Sequence, residues 1–253
     1  MELYHYPIII VVGILSGFLN TVAGGGSLIT LPILIFMDLP STVANGTNRV
    51  AILAQSTFAT AGFRSKGMNL PIPYAYYLAG VSLVGAFLGV RLAVDITDHV
   101  FNRILAVIMV VVVLLSVREQ ARNKSVQEEI LSLKSKVAGV LFFFFLGIYG
   151  GFLQAGIGFM IIAIVTWLHR FSLVKTNYIK VFVVMLLTVV AVIYFAIEDK
   201  IRWEYGIMLA AGQGIGGWYA SRWSVEKGEK WIKRILVVSV IGLAIKLWFF
   251  QEY

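Results

Sequence analysis

Two glycine-rich interruptions of long apolar runs constrain this chain more than any other feature. The first is Gly17-Phe18-Leu19-Asn20-Thr21-Val22-Ala23-Gly24-Gly25-Gly26-Ser27, and an echo, Gly151-Phe152-Leu153-Gln154-Ala155-Gly156-Ile157-Gly158, lies 134 residues later. Glycine costs a helix roughly 1 kcal/mol relative to alanine at each position, so three in a row predict a break. In hydrocarbon, a broken backbone must satisfy its polar groups on protein or on a water-lined cavity. Breaks at corresponding places in two halves of a chain point to a transporter's binding site.

The surroundings are those of a membrane protein. Of 253 residues, 59% are hydrophobic and 13% charged, against about 25% charged in soluble domains. Apolar blocks fall near 7–37, 42–63, 71–94, 100–117, 137–168, 173–197, 203–221 and 232–250, most of them near the roughly 20 residues that span a bilayer. The first block has acidic Glu2 where a secretory signal would be basic, and it is too long for one. The net charge of +8 sits in short loops between blocks, which the positive-inside rule explains without nucleic acid. The absence of cysteine excludes disulfides and thiolate metal sites. No H-E-x-x-H pair, Walker motif or membrane-embedded histidine base supports an enzyme. No cofactor is expected.

The halves align beyond the glycines. At an offset of 131, Arg49 matches Lys180, Arg91 matches Arg222, and Arg103-Ile104-Leu105 matches Arg234-Ile235-Leu236. This reads as an internal duplication of four apolar blocks. If each of the eight blocks crosses once, the two faces hold 10 and 9 basic residues, which gives no orientation. If each glycine-broken block instead goes in and returns as a hairpin, one face collects 14 cations and the other 5. That bias is the positive-inside signature. Length agrees, because Pro7–Met37 as one helix would be about 46 Å long, against a core of about 30 Å. A hairpin plus three spans is an odd number of crossings, so the second repeat is expected to be inverted. The connector 118–136 is then cytoplasmic.

Arg49 sits well inside an apolar block, in Ala44-Asn45-Gly46-Thr47-Asn48-Arg49-Val50-Ala51, and Lys180 is equally deep in its own. A cation at the bilayer centre costs roughly 2.5–3.5 kcal/mol on insertion scales. Snorkelling to an interface is the structural alternative. All 13 acidic residues lie at block ends or in loops, so no carboxylate is placed to neutralise either cation. An exogenous anion is the expected partner. A helix starting near Ser27, after Gly24, Gly25 and Gly26, would present free N–H groups and the positive end of its dipole. Asn20, Gln154, Asn45, Thr47 and Asn48 would add hydrogen bonds, with Gln55, Thr176, Asn177 and Gln213 as further amides and hydroxyls near the breaks. Small-xxx-small spacing in 85–89, 147–151 and 212–216 suits helix contacts within a subunit or in a homodimer.

The run Asn20-Thr21-Val22-Ala23-Gly24-Gly25-Gly26-Ser27-Leu28-Ile29-Thr30-Leu31-Pro32, with Leu39-Pro40 and Ala44-Asn45-Gly46-Thr47-Asn48-Arg49-Val50-Ala51, resembles the TauE/SafE family of sulfite-exporter-like membrane proteins. The second-half motif departs from the first, with Gln154 and Gly158-Phe159 where the first has Asn20 and three glycines. The resemblance implies a four-plus-four duplicated membrane fold and export of sulfur-containing anions such as sulfite or sulfonates.

The expected fold is therefore all-α and integral to the cell inner membrane, with two inverted repeats, each a hairpin and three transmembrane helices. The first spans 1–117 and the second 137–253. A small anion is expected to bind between the hairpins at Arg49, Lys180, Asn45, Thr47, Asn48, Asn20, Gln154, Gly24, Gly25, Gly26 and Ser27. An anion channel, or an assembly protein without a ligand, are the alternatives. The ligand-free alternative places both cations at the lipid headgroups.

Overall fold

A computed structural model describes residues 5–105, 107 and 129–249. The described residues are helical without strands: α1 (His5–Val22), α2 (Ser27–Phe36), α3 (Ser41–Ser65), α4 (Tyr74–Val94), α5 (98–105), α6 (Leu133–Phe152), α7 (Ile157–His169), α8 (Leu173–Ile197) and α9 (Trp203–Phe249). Most of the expected 100–117 block and residues 118–128 of the connector lie outside the described residues. α4, α6 and α8 are long and apolar enough to cross a membrane, while α1, α2 and α7 are shorter apolar helices.

Both glycine-broken blocks fold back on themselves. Gly26, at the start of α2, abuts Ser16 and Asn20 of α1. At the other end, Ile8 and Ile9 share an apolar cavity with Phe36 and Met37. The arms are thus antiparallel. α6 and α7 do the same, with Gly150 against Ile157 and the Phe142 ring 6.2 Å from Trp167. At 10 residues, α2 rises about 15 Å, roughly half a bilayer core.

The backbone does what the glycines allow. Gly24 adopts φ +95°, a conformation closed to most side chains. At the second break Gly156 (φ 72°) takes that role, preceded by Gln154 at φ 61°. The second motif thus turns with one glycine and one strained glutamine, and manages without a triple glycine. The two tips then meet. A β-carbon on Gly24 would stand 2.5 Å from the Gly158 α-carbon, and one on Gly158 would collide with Gly24.

Each hairpin packs against the other half of the chain. α1 runs parallel to α9, with Gly13 on Gly212 and the Phe18 ring 5.5 Å from Trp223. α6 runs parallel to α4, with Gly147 on Gly85 and Phe152 on Gly89. The small-residue stripes noted in the sequence make these contacts within one chain. α3 and α8 cross the middle antiparallel: Phe63 stacks on Tyr178 at 5.2 Å, while Gly46 lies against Phe195.

Blocks 203–221 and 232–250 were expected as separate spans; α9 comprises two helical stretches that meet at a kink at Gly228 (φ 69°, ψ −170°), the first of them continuing past 221. The extension is polar and is tied to the end of α3 by the Lys66–Glu226 ion pair and by Arg222 near Ser65. Charged side chains bound the apolar block without ending the helix. The basic ends gather accordingly: the C-ends of α3 and α7, the N-ends of α4, α6 and α8, and the Gly228 region share one end. Thr47 and Arg202 meet at the other.

Gly24→Ala is expected to lower stability by about 1–3 kcal/mol through overlap at the tip contact. Gly67→Ala, also at positive φ but with nothing within 4 Å of the new methyl, should lower it less. Melting of the two purified variants compares them, and equal effects would show that the tip contact contributes nothing.

Candidate functional site

The two buried cations, Arg49 and Lys180, each reach a hairpin in the other half of the chain. A helix leaves its last four carbonyls without intrahelical partners. In α1 the last of these to find a backbone donor is Leu19, which accepts from Ala23 and Gly24. The next three carbonyls are taken by α8: Lys180 Nζ donates to Asn20 O (2.9 Å) and Thr21 O (2.7 Å), and Asn177 Nδ2 donates to Val22 O (2.9 Å). In α6 the corresponding carbonyl is Tyr149, which accepts from Leu153 and Gln154. There the next three are taken by α3. Arg49 donates to Gly150 O and to Gly151 O (3.1 Å), and Asn45 Nδ2 donates to Phe152 O (2.8 Å).

The cations are held alike. Asn177 Oδ1 accepts from Lys180 at 2.8 Å, and Asn45 Oδ1 accepts from Arg49 at 3.1 Å. Gln154 Oε1 is a further acceptor for Arg49, and the Gln154 amide donates to Thr188 at 2.8 Å. A cation at a helix C-terminus also opposes the negative end of the dipole. Snorkelling would leave the charged heads exposed, but Arg49 is 0% and Lys180 2% exposed.

This corrects the premise that the cations lack internal partners. Neither joins the ion pairs seen among the described residues, Lys66–Glu226 and Lys175–Glu129, but both are paired with backbone carbonyls. Sequence inspection looked for carboxylates and missed these acceptors, because carbonyl orphans follow from a helix end and not from residue type.

A cavity lies between the hairpin tips and the middle of α3 and α8. Its polar lining is Asn20, Ser27, Gln55, Ser56, Gln154 and Lys180, with Gly158 at the start of α7 and aliphatic side chains between. Its volume is about 10 Å³, room for about one water. The first turns of α2 and α7 both face it, so two positive dipole ends join the ammonium.

Of the expected site residues, Asn20, Ser27, Gln154 and Lys180 come together at this cavity. Arg49 and Asn45 sit behind it on the end of α6. Thr47 accepts from the Arg202 backbone N–H at 2.9 Å, and Asn48 accepts from Thr30 at 2.8 Å. Both are therefore occupied with packing α9 and α2 onto α3. Gly24 serves the tip contact, and Gly25 and Gly26 form the turn into α2. Gln55 and Ser56 are the polar residues the site assignment left out. Gln55 receives Asn20 Nδ2 at 2.9 Å and donates to Thr21 Oγ1 at 2.6 Å. Their position on the same helix, six and seven residues beyond Arg49, was the available signal.

A family model described as sulfite exporter TauE/SafE matches residues 9–247. The chain belongs to that family. It is 29% identical over 94% of its length to the probable membrane transporter protein ORF9 of a Sinorhizobium species, covering 90% of that protein. Identity is 27% over 97% of the chain to a probable membrane transporter protein of Haemophilus influenzae, covering 95% of it. Identity is 26% over 93% of the chain to the probable membrane transporter protein YfcA of Escherichia coli K12, covering 87% of it. No solved structure matches the chain. Family membership and the apolar helices make this TauE/SafE chain a multi-pass membrane protein of a transporter family.

Arg49→Met and Lys180→Met should each lower stability without ligand by about 1–3 kcal/mol, because each leaves two buried helix-end carbonyls without a donor. The missing-counter-charge argument gives the opposite sign, since removing an unpaired buried charge relieves desolvation. Melting of either variant at or above the wild-type temperature would overturn the capping role.

Proposed function

We propose that this chain is an alternating-access exporter of a small sulfur-containing anion, sulfite or a sulfonate, with its substrate site at the Lys180 cavity. The observation that carries the reading is the cavity's lining. Lys180, two hydroxyls, three amides and two helix N-termini face one point, and no carboxylate lines it. Hydroxyls, amides and helix N-termini suit an oxyanion. A cavity with room for about one water excludes a sulfonate until α3, α8 and the hairpins separate. Entry then requires a conformational change, as alternating access demands and a standing pore does not.

The repeats in this reading are inverted, 1–117 and 137–253. Support comes from α3 and α8, equivalent at an offset of 131 and antiparallel to each other, and from the equivalent Gly24 and Gly158 touching at the centre. Equivalent helices running oppositely across a central contact is what a two-fold axis in the membrane plane produces. The gathered basic residues support a cytoplasmic Ser65 and Gly228 end and a location in the cell inner membrane.

Thermal melting of the purified protein with sulfite, methanesulfonate, acetate and phosphate tests the site. Sulfite or methanesulfonate should raise the melting temperature, with stabilisation of about 2.7 kcal/mol at a hundred times Kd. Lys180→Gln should abolish that ligand-induced shift whatever its own melting temperature. A chain that no anion stabilises is not the proposed transporter. Orientation is read separately: single Ser65→Cys and Gly228→Cys substitutions should resist an impermeant thiol reagent in intact cells, and labelling of both from outside would reverse the topology.

A further inference from the structure

The substrate cavity is off-centre. Its α3 members, Ile52, Gln55 and Ser56, lie beyond Arg49 toward the basic end, and its α8 members, Lys180, Val181 and Val184, lie in the half of α8 nearest the same end. The equivalents of Lys180, Val181 and Val184 at an offset of 131 are Arg49, Val50 and Leu53. They lie in the half of α3 nearer the opposite end. There the α8 counterparts Val183 and Leu187 are packed into the core. The two regions thus have matching capped cations, and the cavity lined by Lys180 lies toward the basic end.

We propose that Arg49 heads a second anion half-site, the counterpart of the Lys180 cavity, which opens toward the opposite face when that cavity closes. This rests on the inverted-repeat reading of the transporter. Arg49 also has a donor to spare. All three Lys180 protons are engaged by Asn20 O, Thr21 O and Asn177, whereas Arg49 Nε is buried without a partner. A buried guanidinium N–H without an acceptor is unfavourable by about 1–3 kcal/mol, and an anion oxygen would relieve it.

The two half-sites differ in chemistry. Ser27, Gln55 and Ser56, which line the cavity, correspond to Ile161, Leu186 and Leu187. The second half-site thus keeps its cation but loses three hydrogen-bonding side chains, so it holds a sulfonate oxygen more weakly. Anion is captured tightly at the basic face and released easily at the other. This asymmetry sets the half-saturation on each face, and net flux still follows the gradients across the membrane.

The chain has no cysteine, so single thiols report each half-site without background. Val184→Cys and Leu53→Cys form one equivalent pair, and Val181→Cys with Val50→Cys form a second in case a member of the first fails to fold. Right-side-out and inside-out vesicles are treated with a sulfonate-bearing methanethiosulfonate, and methanesulfonate flux is measured in parallel. The α8 thiols should react at least tenfold faster from the basic face, and the α3 thiols at least tenfold faster from the opposite face. Methanesulfonate should protect the α8 thiols at lower concentration than the α3 thiols. In flux-competent protein, α3 thiols that react from neither face, or from the basic face, overturn the second half-site and leave the transporter reading standing. Absence of flux in the unsubstituted chain overturns the transporter reading, and the second half-site with it.

Discussion

The structure depends on two cations, each capping a helix that belongs to the other half of the chain. Each hairpin ends its first arm inside the protein, where the last carbonyls are buried, and each unsatisfied group there is unfavourable by several kcal/mol. Lys180 with Asn177, and Arg49 with Asn45, supply donors to three consecutive carbonyls of α1 and of α6. The arrangement solves two problems together. A buried cation needs acceptors and a buried helix end needs donors, so each removes the other's penalty without a carboxylate. It also leaves the centre of the protein with a net positive charge, which a carboxylate partner would have cancelled.

That exchange of caps explains why the halves interlock. Each hairpin is anchored by a helix of the other half of the chain and lies along another, α1 on α9 and α6 on α4, through glycines that bring backbones into contact. Neither half caps the last carbonyls of its own hairpin's first arm. A displacement of α3 or α8 would therefore carry a hairpin tip with it, and the tips line the cavity.

Much of this was legible in the residues. The glycine runs gave the breaks, the arm lengths gave the hairpins, and the offset of 131 paired Arg49 with Lys180 before any geometry was known. The partners of those cations were not legible, because backbone carbonyls have no letter in a sequence. Nor was the division of labour among the polar residues. Asn48 and Thr47 sit beside Arg49 in the sequence but face α2 and the start of α9. A helix turns 100° per residue, so neighbours in sequence point to different neighbours in space. Ser56, seven residues on, returns to within about 20° of the Arg49 direction and lines the cavity with Lys180.

The second glycine motif shows why pattern matching at such a site has limits. Judged by letters it is degenerate, with Gln154 where the first motif has Asn20 and with no triple glycine. In space it performs the same turn, because one residue at positive φ is enough to redirect the chain and Gly156 supplies it. Gln154 is freed to do something Asn20 does not. Its side chain accepts from Arg49 and donates to Thr188, which holds an otherwise unfavourable φ of 61° in place. Asn20 offers Lys180 its backbone carbonyl instead, and its amide goes to Gln55. In both halves of the chain a cation closes the hairpin, while the side chains around it differ.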